Sequence, residues 1–459
     1  VETRGSVSTA CLQAVRWLEN GFQAAFGGAQ FLFTSDGVVC KICLTAQPIF
    51  RLPQSIRQPE TAILPASHVS LTPTKGNAMS KLFPTATPRT RAPYRFDIVG
   101  SFLRPEALKQ ARRQCACGEC SMQAMHTVED AEIHKIVEKQ KAIGLPAVSD
   151  GEFRRTWWHL DFLFELIGVE LRDTDTYSTQ FKAHMHRPVT LEIIGKIQWP
   201  NVHPFLEHYK RLHAEADGYP VKFTIPSPSM LHLITCVRTA EPKLPPVYAD
   251  NQEQLFADIT AAYIQAVQAF YDLGCRILQL DDTSWGEFCS EEKRALYASQ
   301  GVDVDATARR YVQMLNDIRA AAPADMALTM HICRGNFRST WFSSGGYEPI
   351  AEILFGGCHI DGFYLEYDSD RAGDFKPLRF IKNQQVVLGL VTSKTGELEN
   401  KQDIIARIQE AAQYVDINQL CLSPQCGFAS TEEGNVLTEE EQWRKLEFIR
   451  EIAEEVWGK

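Results

Sequence analysis

From position 94 onward the chain alternates between two hydrophobic rhythms. Short apolar runs rich in β-branched and aromatic residues occupy 96–102, 147–153, 222–226, 276–281, 327–333, 362–366, 386–390 and 419–422, and these predict eight strands. Between them lie longer stretches with apolar residues three and four apart, clearest over 252–273 and 403–414, which predict helices. Strand and helix in regular alternation predict an α/β fold, a (β/α)8 TIM barrel with its active site at the C-terminal strand ends. The long interval 173–213 is then an inserted loop decorating the barrel. Residues 1–90 follow neither rhythm, and 65–91 are rich in Pro, Thr and Ser, the composition of a linker or disordered arm. The expected domains are an N-terminal extension over 1–90, poorly structured, and a barrel over 91–459. The sequence opens on Val, and Met79 stands just ahead of the regular pattern, so 1–78 are expected to be an upstream extension of the reading frame.

The predicted strand ends share one chemistry. They carry Gly100-Ser101, Asp150-Gly151-Glu152, Asp281-Asp282, His331 with Cys333, Glu366, and Pro424-Gln425-Cys426-Gly427. Scattered surface acids would not keep that phase around a barrel. Residues i and i+2 of a strand point to one side, so His331 and Cys333 can face a single ion. Glu366 and Cys426 complete a His-Cys-Glu-Cys set of the kind that binds Zn2+ tetrahedrally. Taken singly, each thiol is better read as a buried core cysteine and the histidine as a satisfied core residue. Four such residues in phase on one face favour the metal.

A net charge of −10 excludes a nucleic acid or an anionic membrane as the main partner, since both require a basic face. No apolar run is long enough to cross a bilayer. Thirteen cysteines, an odd number without a framework of short spacings, suggest reduced thiols in a reducing, cytoplasmic setting.

The His-x-Cys pair after the fifth strand, Phe363-Tyr364-Leu365-Glu366, and Ser423-Pro424-Gln425-Cys426-Gly427 resemble the zinc motifs of cobalamin-independent methionine synthase, in its C-terminal catalytic barrel. Val99-Gly100-Ser101-Phe102, Asp150-Gly151-Glu152 and Gln279-Leu280-Asp281-Asp282 resemble that family's homocysteine-binding motifs. The resemblance covers about residues 94–459, and the chain is similar to the shorter members built on a single barrel. It implies a zinc ion on His331, Cys333, Glu366 and Cys426. It also implies that Glu152 and Asp281 hold the amino group of homocysteine, while the Gly100-Ser101 loop holds its carboxylate. The implied reaction methylates a zinc-bound thiolate to give methionine, with 5-methyltetrahydrofolate or its polyglutamate as donor. Glu152 and Asp281 are the acids implied at the reaction site. The partners implied are a small-molecule thiol and a folate-type donor, and a homo-oligomer is left open.

The chain departs from the family on the donor side. Leu390 to Thr395 lacks the histidine that the full-length synthase carries after strand 7, Ile225 to Ser229 replaces a Trp-containing loop, and Gln425 replaces an acid. Two alternatives therefore stand: zinc-dependent alkyl transfer to another thiol or from another donor, and a non-catalytic zinc-binding barrel.

Other candidates are weaker. Cys40-Lys41-Ile42-Cys43 is a lone CxxC, and His184-Met185-His186 reads as surface or mouth lining before metal pair. Cys115, Cys117 and Cys120 form either a soft-metal cluster or a variable helical loop. Trp157-Trp158-His159 could stack a flat donor or merely pack a helix. Ser343-Ser344-Gly345-Gly346-Tyr347 reads as a flexible loop near the zinc strand and is a candidate lid. Asp282 has no definite role beyond capping the following helix.

Overall fold

The computed structural model describes residues 83–173, 189–249 and 251–458, together with Phe33–Thr34 and Gly37–Val38. The chain divides into two compact units, Val1–Ala78 and Met79–Lys459. In the first, Phe33–Thr34 pairs antiparallel with Gly37–Val38. The second carries the barrel. An antiparallel hairpin comes first, β1 (Ile167–Asp173) and β2 (Val189–Gln198). Then follow β3 (Lys222–Pro226), β4 (Ile277–Asp282), β5 (Ala327–Ile332), β6 (Gly362–Glu366), β7 (Gln385–Val391) and β8 (Leu420–Pro424). Strands β3 to β8 form one parallel sheet in sequence order. Their residues are buried almost throughout, as expected of a barrel strand covered by side chains inside and helices outside.

The first two predicted strands differ from the rest. Each makes a single parallel bridge, Phe96 with Leu422 of β8 and Val148 with Val221 beside β3. Beyond those bridges the backbone leaves extended geometry, and Glu152 sits at φ +62°. The two segments still close the ring, because Ser149 Oγ donates to Gly100 O at 2.7 Å and Phe102 N–H to Gly151 O at 3.1 Å.

Local chemistry sets the helix limits. Helix Gln252–Asp272 matches its predicted span, with the Asn251 side chain accepting from Gln254 N–H. The helix predicted over 403–414 instead runs Lys401–Ala411, because Asn400 caps it at Gln402 and Asp403. The last helix, Glu439–Trp457, opens on a capping box between Thr438 and Glu441. Within the predicted insert lie β2 and helix Pro204–Ala216. A stack of Phe162, Trp199 and His203 packs this region, with Trp199 and His203 4.8 Å apart and 5° from parallel.

Inside the ring, Lys222 Nζ lies 3.1 Å from Asp97 Oδ1 and 3.8 Å from the Tyr364 ring centroid, and all three residues are buried. Removing one partner leaves the other charge without compensation. Lys222→Met should cost about 3–5 kcal/mol in equilibrium unfolding, and less when Asp97 becomes Asn in the same chain.

Candidate metal and thiol site

Parallel register brings the predicted residues together. Asp281 of β4 is paired directly with His331 of β5, and Glu366 ends β6. The chain continues from β5 into Cys333 and from β8 into Cys426. One donor atom from each of His331, Cys333, Glu366 and Cys426 lies within 4.8 Å of the others, and all four residues are buried.

Three features of this group fit a bound cation. The two sulfurs stand 3.6 Å apart, close to the edge of about 3.8 Å expected for a tetrahedron with 2.3 Å zinc–sulfur bonds. Buried His331 has no oxygen or nitrogen hydrogen-bond partner on either ring nitrogen among the described residues, only the Cys426 thiol beside it, although burial of such a group normally demands a stronger partner. The Cys426 thiol is pulled down to about 5 by the hydrogen bond from Cys333, against its burial, and His331 adds to the effect. Glu366 accepts from Arg334 N–H at 2.9 Å through one oxygen and from Arg371 at 2.8 Å through the other. Burial would raise this carboxyl, but Arg371, Lys394 and His331 hold it below its usual range, so it stays an anion.

A cavity of about 20 Å3 adjoins the donors, lined by Val99, Ser101, Glu152, Trp158, Asp281, His331, Cys333, Cys426, Gly427 and Ser430. Glu152 and Asp281 line the same cavity as the two thiols. Glu152 Oε1 accepts from Thr224 Oγ1 at 3.0 Å and lies 3.5 Å from Arg155, while its Oε2 is buried without a partner. Asp281 Oδ1 accepts from Gln279 Nε2 at 2.6 Å. Burial raises Glu152 against the pull of Arg155 and Arg104. Asp281 is pushed up to about 7 by burial, with His331 opposing and Glu152 adding to the rise. Two carboxyls that burial raises, lining one cavity, are a receptor for a cation with several donors, such as an ammonium.

The Glu152 turn is held by arginines. Buried Arg104 donates to the carbonyls of Ala429 at 2.6 Å and Glu152 at 2.8 Å. Arg112 donates to Phe153 O at 2.7 Å and Arg155 O at 3.0 Å. Gly100 packs behind the cavity, where a Cβ would meet Thr224 Cγ2 at 2.7 Å. The Ser101 hydroxyl accepts from Ala429 N–H at 3.3 Å.

The remaining candidates sort clearly. Asp282 faces away from the cavity set: it accepts from Ser229 and from Ser284 N–H at 2.6 Å, tying the β3 loop to the turn after β4. Trp158 lines the cavity and stacks on His159 at 4.4 Å. The 343–347 loop is not a free lid. Ser343 and Tyr347 are buried, Ser343 Oγ donates to Gly286 O at 2.5 Å, and Gly345 at φ +137° lies so close to Cys289 that a Cβ would stand 2.2 Å from its carbonyl oxygen. Cys40, Cys43, His184 and His186 lie outside the described residues. Sequence reading singled out Gln279 only as part of the Gln279-Leu280-Asp281-Asp282 motif and missed Thr224, Arg104 and Arg371. Its support of Asp281 follows from spacing, since it stands two before Asp281 on the same strand and therefore on the same face, whereas the other three left no signal in their own stretches.

Residues 97–455 match the family described as cobalamin-independent synthase, catalytic domain. YxjH of Bacillus subtilis is 49% identical over 373 residues, which cover 80% of this chain and 96% of YxjH. A structure from Listeria monocytogenes, solved under the assignment of a vitamin-B12-independent methionine synthase, is 41% identical and superposes with a TM-score of 0.63, covering 80% of this chain and 99% of that one. A B12-independent methionine synthase from Shewanella sp. W3-18-1 shares the fold at 17% identity and a TM-score of 0.57, over 78% of this chain and 96% of its own. With these matches spanning the strands that carry both the donor set and the acids, the chain belongs to the cobalamin-independent synthase family and carries its catalytic domain.

Proposed function

We propose that this protein is a zinc-dependent methyltransferase that activates homocysteine and methylates it to methionine, with a 5-methyltetrahydrofolate-type donor. One observation carries the reading: a single cavity is lined both by the donors His331, Cys333 and Cys426 and by two carboxyls, Glu152 and Asp281, that burial raises. An amino-acid thiol spans those two chemistries. Glu152 Oε2 and Asp281 receive the ammonium, and Ser101 with the Gly427–Ala429 loop lies beside the carboxylate. His331, Cys333, Glu366 and Cys426 hold the zinc. When bound, zinc lowers the pKa of a coordinated thiol so that a thiolate is available at neutral pH. The barrel's own contribution is orientation, since the acids fix the amino end and leave the sulfur at the metal wall. Trp158 supplies a flat face to the donor side.

A second reading, the same thiol chemistry with another alkyl donor, draws on the β3 loop. Ser227 and Ser229 are 2.8 Å apart, and Ser229 is spent on Asp282. After β7, Lys394 donates to Asn336 Oδ1 at 3.0 Å and is engaged within the protein.

The test is zinc content combined with calorimetric titration in two buffers of different ionisation heat, comparing homocysteine with methionine. About one zinc per chain is expected, and about one more proton released with homocysteine, because only its thiol ionises on binding. Zinc with equal proton release for both ligands would favour the non-catalytic barrel, and absence of zinc would remove the metal altogether. Thr224→Val should weaken homocysteine binding about two- to tenfold in the same titration, through loss of one hydrogen bond to Glu152.

A further inference from the structure

The cysteine cluster at 115–120 lies outside the cavity, and the backbone explains why its sulfurs meet. Helix Glu106–Ala116 ends in a reversal fixed by two hydrogen bonds, Glu119 N–H to Gln114 O at 2.8 Å and Gly118 N–H to Cys115 O at 3.0 Å. Gly118 takes φ +75°, the left-handed position this helix stop requires. The chain doubles back, and Ser121 then starts helix Met122–Ala142 by accepting from Ala124 N–H. The reversal returns the Cys120 thiol to the first helix. There it donates to Ala111 O at 3.6 Å, one turn before Cys115, and partial desolvation together with the neighbouring Cys115 thiol pushes its pKa up. From the second helix Met122 brings its thioether to 3.3 Å from Cys115 Sγ.

Two details separate this cluster from ordinary surface cysteines. Met122 is 55% exposed, so apolar burial does not account for its position. A disulfide between Cys115 and Cys120 would leave the thioether contact without a part. Two thiols and a thioether are instead the donor set that selects soft monovalent ions. The Glu119 carboxylate acts on Cys120 as a neighbouring negative charge, which also favours a cation. Cys117 is exposed on the turn.

We propose that Cys115, Cys120 and Met122 form a surface site for a soft monovalent metal ion of the copper(I) class, separate from the central donor set. Binding replaces two S–H protons by two metal–sulfur bonds, with the thioether as third ligand, and releases both protons to solvent without any change of oxidation state.

The experiment uses the full chain, zinc-loaded and kept reduced under anaerobic conditions. Copper(I) is presented with a chromophoric copper(I) chelator as competitor, and protein zinc is measured in parallel. Wild type should withdraw one more copper(I) per chain than Cys115→Ser/Cys120→Ser, with zinc retained in both. Met122→Leu should keep that stoichiometry with lower affinity, and Cys117→Ser should match wild type. Equal copper uptake by wild type and the double variant would overturn the site, as would an unchanged affinity in Met122→Leu. Circular dichroism checks that the variants fold, and homocysteine binding by the double variant should equal wild type, so the result stands apart from the methyltransferase reading.

Discussion

Cys426→Ser should strip zinc from the chain and lower homocysteine methylation more than about 100-fold, a larger loss than removing a residue that merely supports a ligand. Cys426 is 2% exposed and its sulfur is 3.6 Å from that of Cys333, so no water can take its place without rebuilding the wall of the cavity. Serine keeps the size but loses the soft donor and the lowered pKa of the native thiol. The loop itself should persist, because Asn336 Nδ2 donates to Gly427 O at 2.7 Å and Phe428 N–H to Ser101 O at 3.0 Å, neither through the thiol. Elemental analysis, a methylation assay and circular dichroism on the same preparation distinguish a lost metal from a lost fold. Full zinc content in this variant would show that the ion sits elsewhere.

Asp281→Asn should do the reverse: zinc stays and the amino acid is lost. The substitution preserves volume but turns one acceptor into a donor facing an ammonium group. Breaking one side of a buried charged pair costs about 2–5 kcal/mol, or roughly 30- to several thousand-fold in Kd. The position is well fixed, since Gln279 holds one oxygen at 2.6 Å and the strand is paired on both sides. Calorimetry with methionine, which has the amino acid moiety but no thiol, isolates this pocket from the metal. Unchanged methionine affinity would place the amino group elsewhere. Loss of zinc would make Asp281 a support of His331, its neighbour in the sheet.

Much of this architecture is legible in the sequence, because strand phase and barrel topology are properties of spacing. The i, i+2 rule put His331 beside Cys333, and the strand ends pointed to Glu366 and Cys426. What spacing could not give was contact between distant segments. Thr224 reaches Glu152 across 72 residues and Arg104 reaches Ala429 across 325, and neither stands out in its own stretch. The first two predicted strands kept their apolar pattern but made only one bridge each, since the turn that aims Glu152 needs a backbone no ladder tolerates. The 343–347 loop was misread for a related reason. Its glycines signal flexibility in isolation, whereas Gly345 serves close packing against Cys289.

The metal donors also bear on how the chain comes to be a barrel at all. Cys333 and Cys426 are 93 residues apart in sequence, and the stretch between them includes β6, β7 and β8. An ion shared by these residues is a cross-link over nearly half of the sheet, chosen from the denatured ensemble only when the strands are already in order. Loop-closure entropy makes that selection expensive for the open chain. An ion present at a thousand times its dissociation constant adds about 4 kcal/mol to the native state. Chelation should therefore lower the unfolding temperature as well as silence the chemistry, so that metal supply to the cell would govern how much of this protein survives its proteases.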